Sequence, residues 1–286
     1  MAPMDPRPDN NLDLQVAKSF GQEWSRFRQD EDHLPHKQRE EIFDGYFRIF
    51  PWNLLPPGGG VGIDIGCGTG RWAMLVAPRV AHLHLLDASP QALAVARKNL
   101  NFATNVSFHA ESVAAIPLPS NSLDFAYALG VLHHVPDTQA AIDAIADKLK
   151  PGASFLIYLY YALDNRPAWY RVLWRVSDVA RLAVSRLPHP LRLVISQTIA
   201  ALIYWPLART ALLLSRVGVS PKFLPLSYYA DKSIYVMRTD AYDRFSTRLE
   251  KRFTRIEIEQ MLKSAGFENV RFSNREPYWC AVGIKK

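Results

Sequence analysis

The residues able to do chemistry begin in one stretch, Val61-Gly-Ile-Asp-Ile-Gly-Cys-Gly-Thr-Gly70. β-prone residues run up to Ile65, glycines follow at 66, 68 and 70, and a helix-like segment starts at Arg71. Without Cβ atoms, such a loop lets a ligand approach the main chain and tolerates positive φ. Free N–H groups at a helix start favour a carboxylate or phosphate. Acidic residues then recur at strand ends: Asp64 inside the first strand, Asp87 closing the second, Glu111 closing the third. Asp87 lies 21 residues after Gly66, where an acid accepts hydrogen bonds from a ribose diol. His133 and His134 follow the fourth strand, and histidine is the usual general base near neutral pH.

The spacing separates two nucleotide chemistries. A dinucleotide fingerprint reads G-x-G-x-x-G/A. Here the order is G-x-G-x-G, and Arg71 stands where the third small residue belongs. An NAD-dependent dehydrogenase is therefore the disfavoured rival.

The elements that position these residues alternate from Val61 onward. Strands are expected at 61–65, 82–86, 106–110, 123–129 and 154–160, with helices at 71–77, 90–100 and 138–149 and a turn at Lys150-Pro-Gly152. That alternation implies βαβ units and a parallel sheet. It breaks after strand 5 and returns at a capping box, Thr254-Arg-Ile-Glu257. That helix stops at Gly266, and two strands follow at 270–274 and 279–284. The fold class is α/β: a Rossmann-like seven-stranded, mostly parallel sheet with helices on both faces and a helical insertion after strand 5. The expected divisions are a disordered lead at 1–12 with no signal peptide, a helical cap at 13–59, a core at 60–163, an insertion at 164–250, and a closing helix with two strands at 251–286. In the cap, Phe20-Gly-Gln-Glu-Trp24 is aromatic-rich and either packs on the sheet or closes over a ligand.

The pattern Asp64-x-Gly66-x-Gly68-x-Gly70 resembles motif I of the class I S-adenosylmethionine methyltransferases. Leu86-Asp87-Ala-Ser-Pro90, Ala110-Glu111-Ser112 with Pro117-Leu-Pro119, and Leu123 to Pro136 resemble the next three motifs, in order. Leu149-Lys-Pro-Gly152 resembles the turn before strand 5. The resemblance covers about residues 60–160 and implies a last strand inserted antiparallel beside the fifth. It implies S-adenosyl-L-methionine as cofactor, S-adenosyl-L-homocysteine as product, and contacts from Asp64, Gly66, Cys67, Gly68, Gly70, Asp87, Ala88, Glu111, Ser112 and Leu129, with Trp24 of the cap. Glu111 stands where the family more often has Asp, so its contact with the adenine amino group shifts by a methylene.

The expected activity is methyl transfer to a small, apolar or amphiphilic molecule, at oxygen first, then nitrogen or carbon. Because a sulfonium methyl is already activated, alignment carries much of the acceleration. His133 is the candidate base, while loop-shaping is its plainer role. His134, Tyr160, Tyr161, Tyr228 and Arg238 are candidate acceptor contacts, with core packing as the plain alternative. RNA or protein acceptors and a non-catalytic subunit are rival readings. Nucleic acid is disfavoured because the basic segment lacks the Lys/Arg–aromatic interleaving that stacks on bases. No metal site is expected: His82 and His84 share one strand face without evident partners.

The net charge of +7 is local. Residues 166–222 hold nine basic residues against Asp178. Within 168–187 the pattern is amphipathic, with Arg171, Arg175, Asp178, Arg181, Ser185 and Arg186 on one side and Trp169, Val172, Leu173, Val176 and Val179 on the other. A second apolar stretch spans 193–214, and Pro206 within it argues against a transmembrane helix. Three readings stay open: a lid over the acceptor, a homodimer surface, and a helix on an anionic membrane. Two cysteines are too few for a disulfide framework. The expected location is the cytoplasm, with surface association if the membrane reading holds.

Overall fold

The computed structural model describes residues 11–27 and 35–286. The expected disordered lead therefore lies, through residue 10, outside the described residues. Asn11 is described, and its amide bonds the main chain of Asp137 in both directions, at 2.6 and 2.7 Å. Within these limits the chain divides into two compact units. The first holds 11–27, 39–162 and 249–286; the second holds 35–38 and 163–248.

The first unit is built on a seven-stranded sheet. Its strands are β1 (Val61–Ile65), β2 (His82–Leu86), β3 (Val106–His109), β4 (Leu123–Leu129), β5 (Leu149–Tyr158), β6 (Phe267–Phe272) and β7 (Cys280–Lys285), in the order β3-β2-β1-β4-β5-β7-β6. Strands β1 to β5 pair in parallel, and β7 runs antiparallel between β5 and β6. The chain winds outward from β1 to β3, then crosses back to β4. The β1/β4 boundary is thus the topological switch point, where α/β sheets bind ligands. Central strands are buried on both faces, which is why they read as near-continuous apolar runs. Ile63, Ile65, Ala126, Phe155 and Ile157 are each at most 1% exposed. Gly62 fits under the Phe125 ring, where a Cβ would stand 2.1 Å from Cζ.

The helices of this unit are α1 (Leu14–Arg26), α2 (His36–Phe47, its first turn in the second unit), α3 (Ala73–Val76), α4 (Pro90–Asn99) and α5 (Thr138–Lys148). Side-chain caps fix their starts: Asp13 for α1, Ser89 for α4, Asp137 for α5.

Two expectations change here. The helix after the glycine loop covers only four residues and passes into a 3-10 turn at 77–79 containing Pro78. Lys150-Pro-Gly152 is not a turn outside the sheet. Leu149 already pairs with Leu123, the register then jumps to Ser154 opposite Phe125, and Gly152 at φ +82° absorbs the bulge.

The second unit is helical: α6 (Ala168–Val184), α7 (His189–Ile199), α8 (Trp205–Arg216) and α9 (Ile234–Ser246). A π-helical turn, Ala200–Tyr204, joins α7 to α8. Pro206 follows that turn, so its missing N–H falls where the hydrogen-bond ladder is already rearranged. Contrary to the expectation from Pro206, the helix runs unbroken for 28 residues, His189–Arg216. By length and composition it is apolar enough to cross a membrane, and only 22% of its most apolar window is buried. Its inner stripe is small or aromatic: Ser196, Ala200, Tyr204, Ala208 and Ala211. Ala200, Tyr204 and Ala208 pack against Met237, Ala241 and Phe245 of α9.

Helix α6 is turned opposite to the packing expected of a buried amphipathic helix. Arg181 and Ser185 are buried, while Val172, Val176 and Val179 are 58%, 65% and 69% exposed. Arg181 pairs with Asp178 at 2.5 Å and donates to the Thr247 carbonyl at 2.8 Å. Arg244 of α9 donates to Ser177 at 2.8 Å. The edge carrying Ser177, Arg181 and Ser185 therefore faces inward, while Val172, Val176 and Val179 face outward.

The chain returns to the sheet through α10 (Arg255–Ser264), which carries the expected Thr254–Glu257 capping box. Gly266 at φ +82° ends it and leads directly into β6, three residues before the expected strand start.

Candidate cofactor site

Gly66, Gly68 and Gly70 all adopt positive φ, at +66°, +55° and +73°. Each also faces a close neighbour. A Cβ on Gly66 would stand 2.4 Å from Val131, so the loops after β1 and β4 touch at the switch point. A Cβ on Gly68 would stand 3.2 Å from the indole nitrogen of Trp24, which places α1 over the loop. A Cβ on Gly70 would meet Leu100 at 2.8 Å and Ala96 at 3.3 Å. Gly70 thus provides the close approach to α4, and Arg71 stands clear of that contact.

Asp87 organises this loop. Its Oδ2 accepts the Gly68 N–H at 2.9 Å and its Oδ1 accepts the Ser89 N–H at 2.8 Å. Each oxygen keeps a lone pair for a further donor. Desolvation raises the Asp87 pKa, and these two N–H bonds oppose it. Asp64 is 2% exposed and its Oδ2 has no hydrogen-bond partner. Burial holds its pKa up to about 8; the Tyr127 hydroxyl lowers it, Asp87 raises it and Arg71 lowers it. Ser112 Oγ is a second buried acceptor without a partner. Cys67 is buried, and burial pushes its thiol well up.

Aromatic rings close a circuit around this region. Trp24 contacts Phe20 at 6.3 Å, Phe20 contacts His134 at 5.0 Å, and His134 contacts Tyr160 at 5.7 Å. Tyr160 leads to Tyr158 at 5.9 Å, Tyr158 to Tyr46 at 5.0 Å, and Tyr46 to Trp72 at 5.3 Å. Arg71 bridges Trp72, at 4.3 Å, back to Trp24, at 5.9 Å. Sequence reasoning missed Tyr46, Trp72 and Tyr158. Tyr158 had a signal, since it lies two residues before Tyr160 within the expected strand 154–160, although β5 ends at Tyr158. Tyr46 had none.

The two histidines differ in environment. His133 is fully buried, stacks on Tyr160 at 3.8 Å, and neither ring nitrogen has a partner. Burial, then His134 and Arg252, push its pKa well below the usual value. His134 Nδ1 lies 2.6 Å from the Leu249 carbonyl. A carbonyl only accepts, so Nδ1 carries the proton and Nε2, which has no partner, holds the lone pair in the neutral ring.

The remaining expected residues disperse. Leu129 ends β4 and is buried, and Ala88 is half-buried beside Asp87. Glu111 has an exposed side chain two residues past β3. Tyr161 points away from Tyr160 toward Tyr278 and Trp279, at 5.7 and 6.3 Å, within core packing. Tyr228 and Arg238 belong to the second unit. There Tyr228 packs edge-on against Tyr229 at 5.2 Å and Arg238 donates to Gln197. His82 and His84 are not partnerless: His82 bonds Ser107 at 2.9 Å and His84 bonds His109 at 3.0 Å. Among the described residues no group of His, Cys, Asp or Glu is placed to hold a metal.

Residues 63–157 match the family model of a methyltransferase domain. Residues 63–157 thus carry a methyltransferase domain, with the fold and loop of the class I S-adenosylmethionine-dependent type. It is 32% identical over 116 residues to a ubiquinone biosynthesis O-methyltransferase of Xanthomonas axonopodis, covering 40% of this chain and 47% of that one. It is 28% identical over 137 residues to phosphoethanolamine N-methyltransferase 2 of Caenorhabditis elegans, covering 41% and 31%. The chain thus spans less than half the length of these curated relatives. A solved structure of a candidate methyltransferase from Bacillus halodurans shares the fold at TM-score 0.51 and 15% identity, over 82% of this chain and 72% of that one. The glycine cradle, the unpaired acceptors Asp64 Oδ2 and Ser112 Oγ, and the free lone pairs of Asp87 fit the donors of that family's cofactor.

Proposed function

We propose that this protein is an S-adenosylmethionine-dependent methyltransferase acting on a small apolar or amphiphilic acceptor, at a hydroxyl oxygen before nitrogen or carbon. The observation that carries this reading is Asp87 bonded to the Gly66–Gly70 loop at the switch point of a methyltransferase domain.

When bound, S-adenosylmethionine supplies an activated methyl group on a sulfonium. The chain's own residues then have separable tasks. Asp87 accepts hydroxyl donors of the ribose, and the glycine loop admits the ligand against the main chain. Asp64 Oδ2 answers a cationic donor. Trp24 and Trp72 already hold the Arg71 guanidinium over their rings, an interaction worth about 0.5–2 kcal/mol that fixes α1 beside the loop. His134 is a better base than His133: its Nδ1–H is anchored on Leu249, which leaves Nε2 to take a proton. His133 is a buried neutral ring that supports Tyr160.

Oxygen is placed first because the O-methyltransferase relative shares the higher identity over its aligned residues. The N-methyltransferase relative supports nitrogen as the second reading. The test is release of S-adenosylhomocysteine with long-chain phenols, long-chain amines, tRNA and a mixed protein extract as acceptors. Turnover with the phenols supports the proposal. Turnover confined to tRNA or protein would replace the acceptor class, and none with any acceptor would remove the enzymatic reading.

A further inference from the structure

We propose that the second unit is a membrane-surface anchor, in which the outward faces of α6 and the 189–216 helix embed in the headgroup–acyl boundary of an anionic bilayer. The inference stands on the orientation of these helices and does not depend on the acceptor or the reaction.

The first support is the inversion of α6. A helix of a water-soluble unit buries its apolar stripe; this one buries Arg181 and Ser185 and exposes Val172, Val176 and Val179, and of its four valines only Val184 packs on the core. The longer helix repeats the arrangement. Small residues line its inner stripe, while Val194, Leu202 and Leu213 are 62%, 71% and 60% exposed. Small-in, large-out packing is the pattern of helices whose outer solvent is lipid. Trp169 and Trp205 are about half exposed on the same helices, and indoles favour the membrane interface.

The second support is charge. Arg192 and Arg209 are turned inward, donating to the Ser246 and Ala230 carbonyls. No other charged residue occurs between His189 and Ser215. On α6, Arg171 and Arg175 are exposed along one flank of the apolar stripe, the position that reaches lipid phosphates when a helix lies in the interface. A second copy of the chain fits less well. A two-fold contact sets the same patch against itself, and 189–216 contains no acid to answer those arginines.

The third point decides lying over spanning. Helix α9 packs along the inner face of 189–216 and carries Asp240 and Asp243. Burying those acids in hydrocarbon is costly, so only the outer faces meet lipid.

The test is flotation of the full chain with vesicles of equal parts phosphatidylcholine and phosphatidylglycerol, beside pure phosphatidylcholine. The native protein should float with the anionic vesicles, and brominated acyl chains should quench its tryptophan emission. Val176→Asp with Leu202→Asp changes two exposed positions and should lower recovery at least about tenfold. Arg171→Glu with Arg175→Glu should abolish the preference for anionic lipid. Failure to float at low salt would overturn the proposal, as would flotation unchanged by both variant pairs. A vesicle-independent dimer dissolved by Val176→Asp with Leu202→Asp would overturn it in favour of a second copy.

Discussion

The Asp87 carboxylate holds the main chain of Gly68 at 2.9 Å, tying the end of β2 to the loop after β1. One side chain therefore shapes the cradle and keeps lone pairs for a ligand hydroxyl. Asp87→Asn preserves an acceptor for the loop but changes one oxygen to a donor. Its affinity for S-adenosylhomocysteine should fall about tenfold to a hundredfold, the cost of one charged hydrogen bond. Its thermal midpoint without ligand should stay within a few degrees, and calorimetry with thermal melts checks both.

Gly66 is required by its backbone and by its neighbour. Gly66→Ala must hold an L-residue at φ +66° with Cβ against Val131. A loss of about 1–3 kcal/mol is expected in urea unfolding. Adding Val131→Ala should recover the contact part and leave the conformational part. Full additivity of the two substitutions would show that the loops after β1 and β4 do not touch.

Asp64 predicts a pH signature. Its folded pKa of about 8 lies above its ordinary 3.8, so the folded state binds a proton that the unfolded chain has lost. That contribution is complete below about pH 4 and is lost as pH rises to 8. Asp64→Asn should flatten this decline, raising stability at pH 8 relative to native by at least about 1 kcal/mol. The same variant should bind S-adenosylhomocysteine more weakly. Parallel urea titrations at pH 5 and 8 decide it; an unchanged slope would mean Asp64 titrates normally.

The two histidines separate by substitution. His134→Gln should lower kcat about 10²–10⁴-fold, the usual share of a general base, with KM for the methyl donor little changed. His133→Phe keeps a ring on Tyr160 and should retain most turnover. The reverse ranking would return the base to His133.

Legibility followed the range of the determining forces. β1, β2 and β4 were readable to the residue because apolar runs end in glycine or acid, which is local information. Asp87 was readable because its distance from Gly66 reflects one βαβ unit. Phe20 and Trp24 were visible as aromatics near the fold, but only the structure sets Trp24 on Gly68. Tyr46 joins the circuit from a helix far along the chain, through contacts with Trp72 and Tyr158. The wheel of α6 showed two faces and could not say which turns inward. That depends on Arg181 reaching the Thr247 carbonyl, 66 residues away. Pro206 misled because the π-helical turn ahead of it was not readable from composition.

The most direct test of the central claim is calorimetric titration of the native protein with S-adenosylhomocysteine and, in parallel, with NAD. Stoichiometric binding of S-adenosylhomocysteine, lost in Asp87→Ala and absent for NAD, is the predicted result. Binding of NAD alone, or S-adenosylhomocysteine binding that Asp87→Ala leaves intact, would contradict the assignment of this loop.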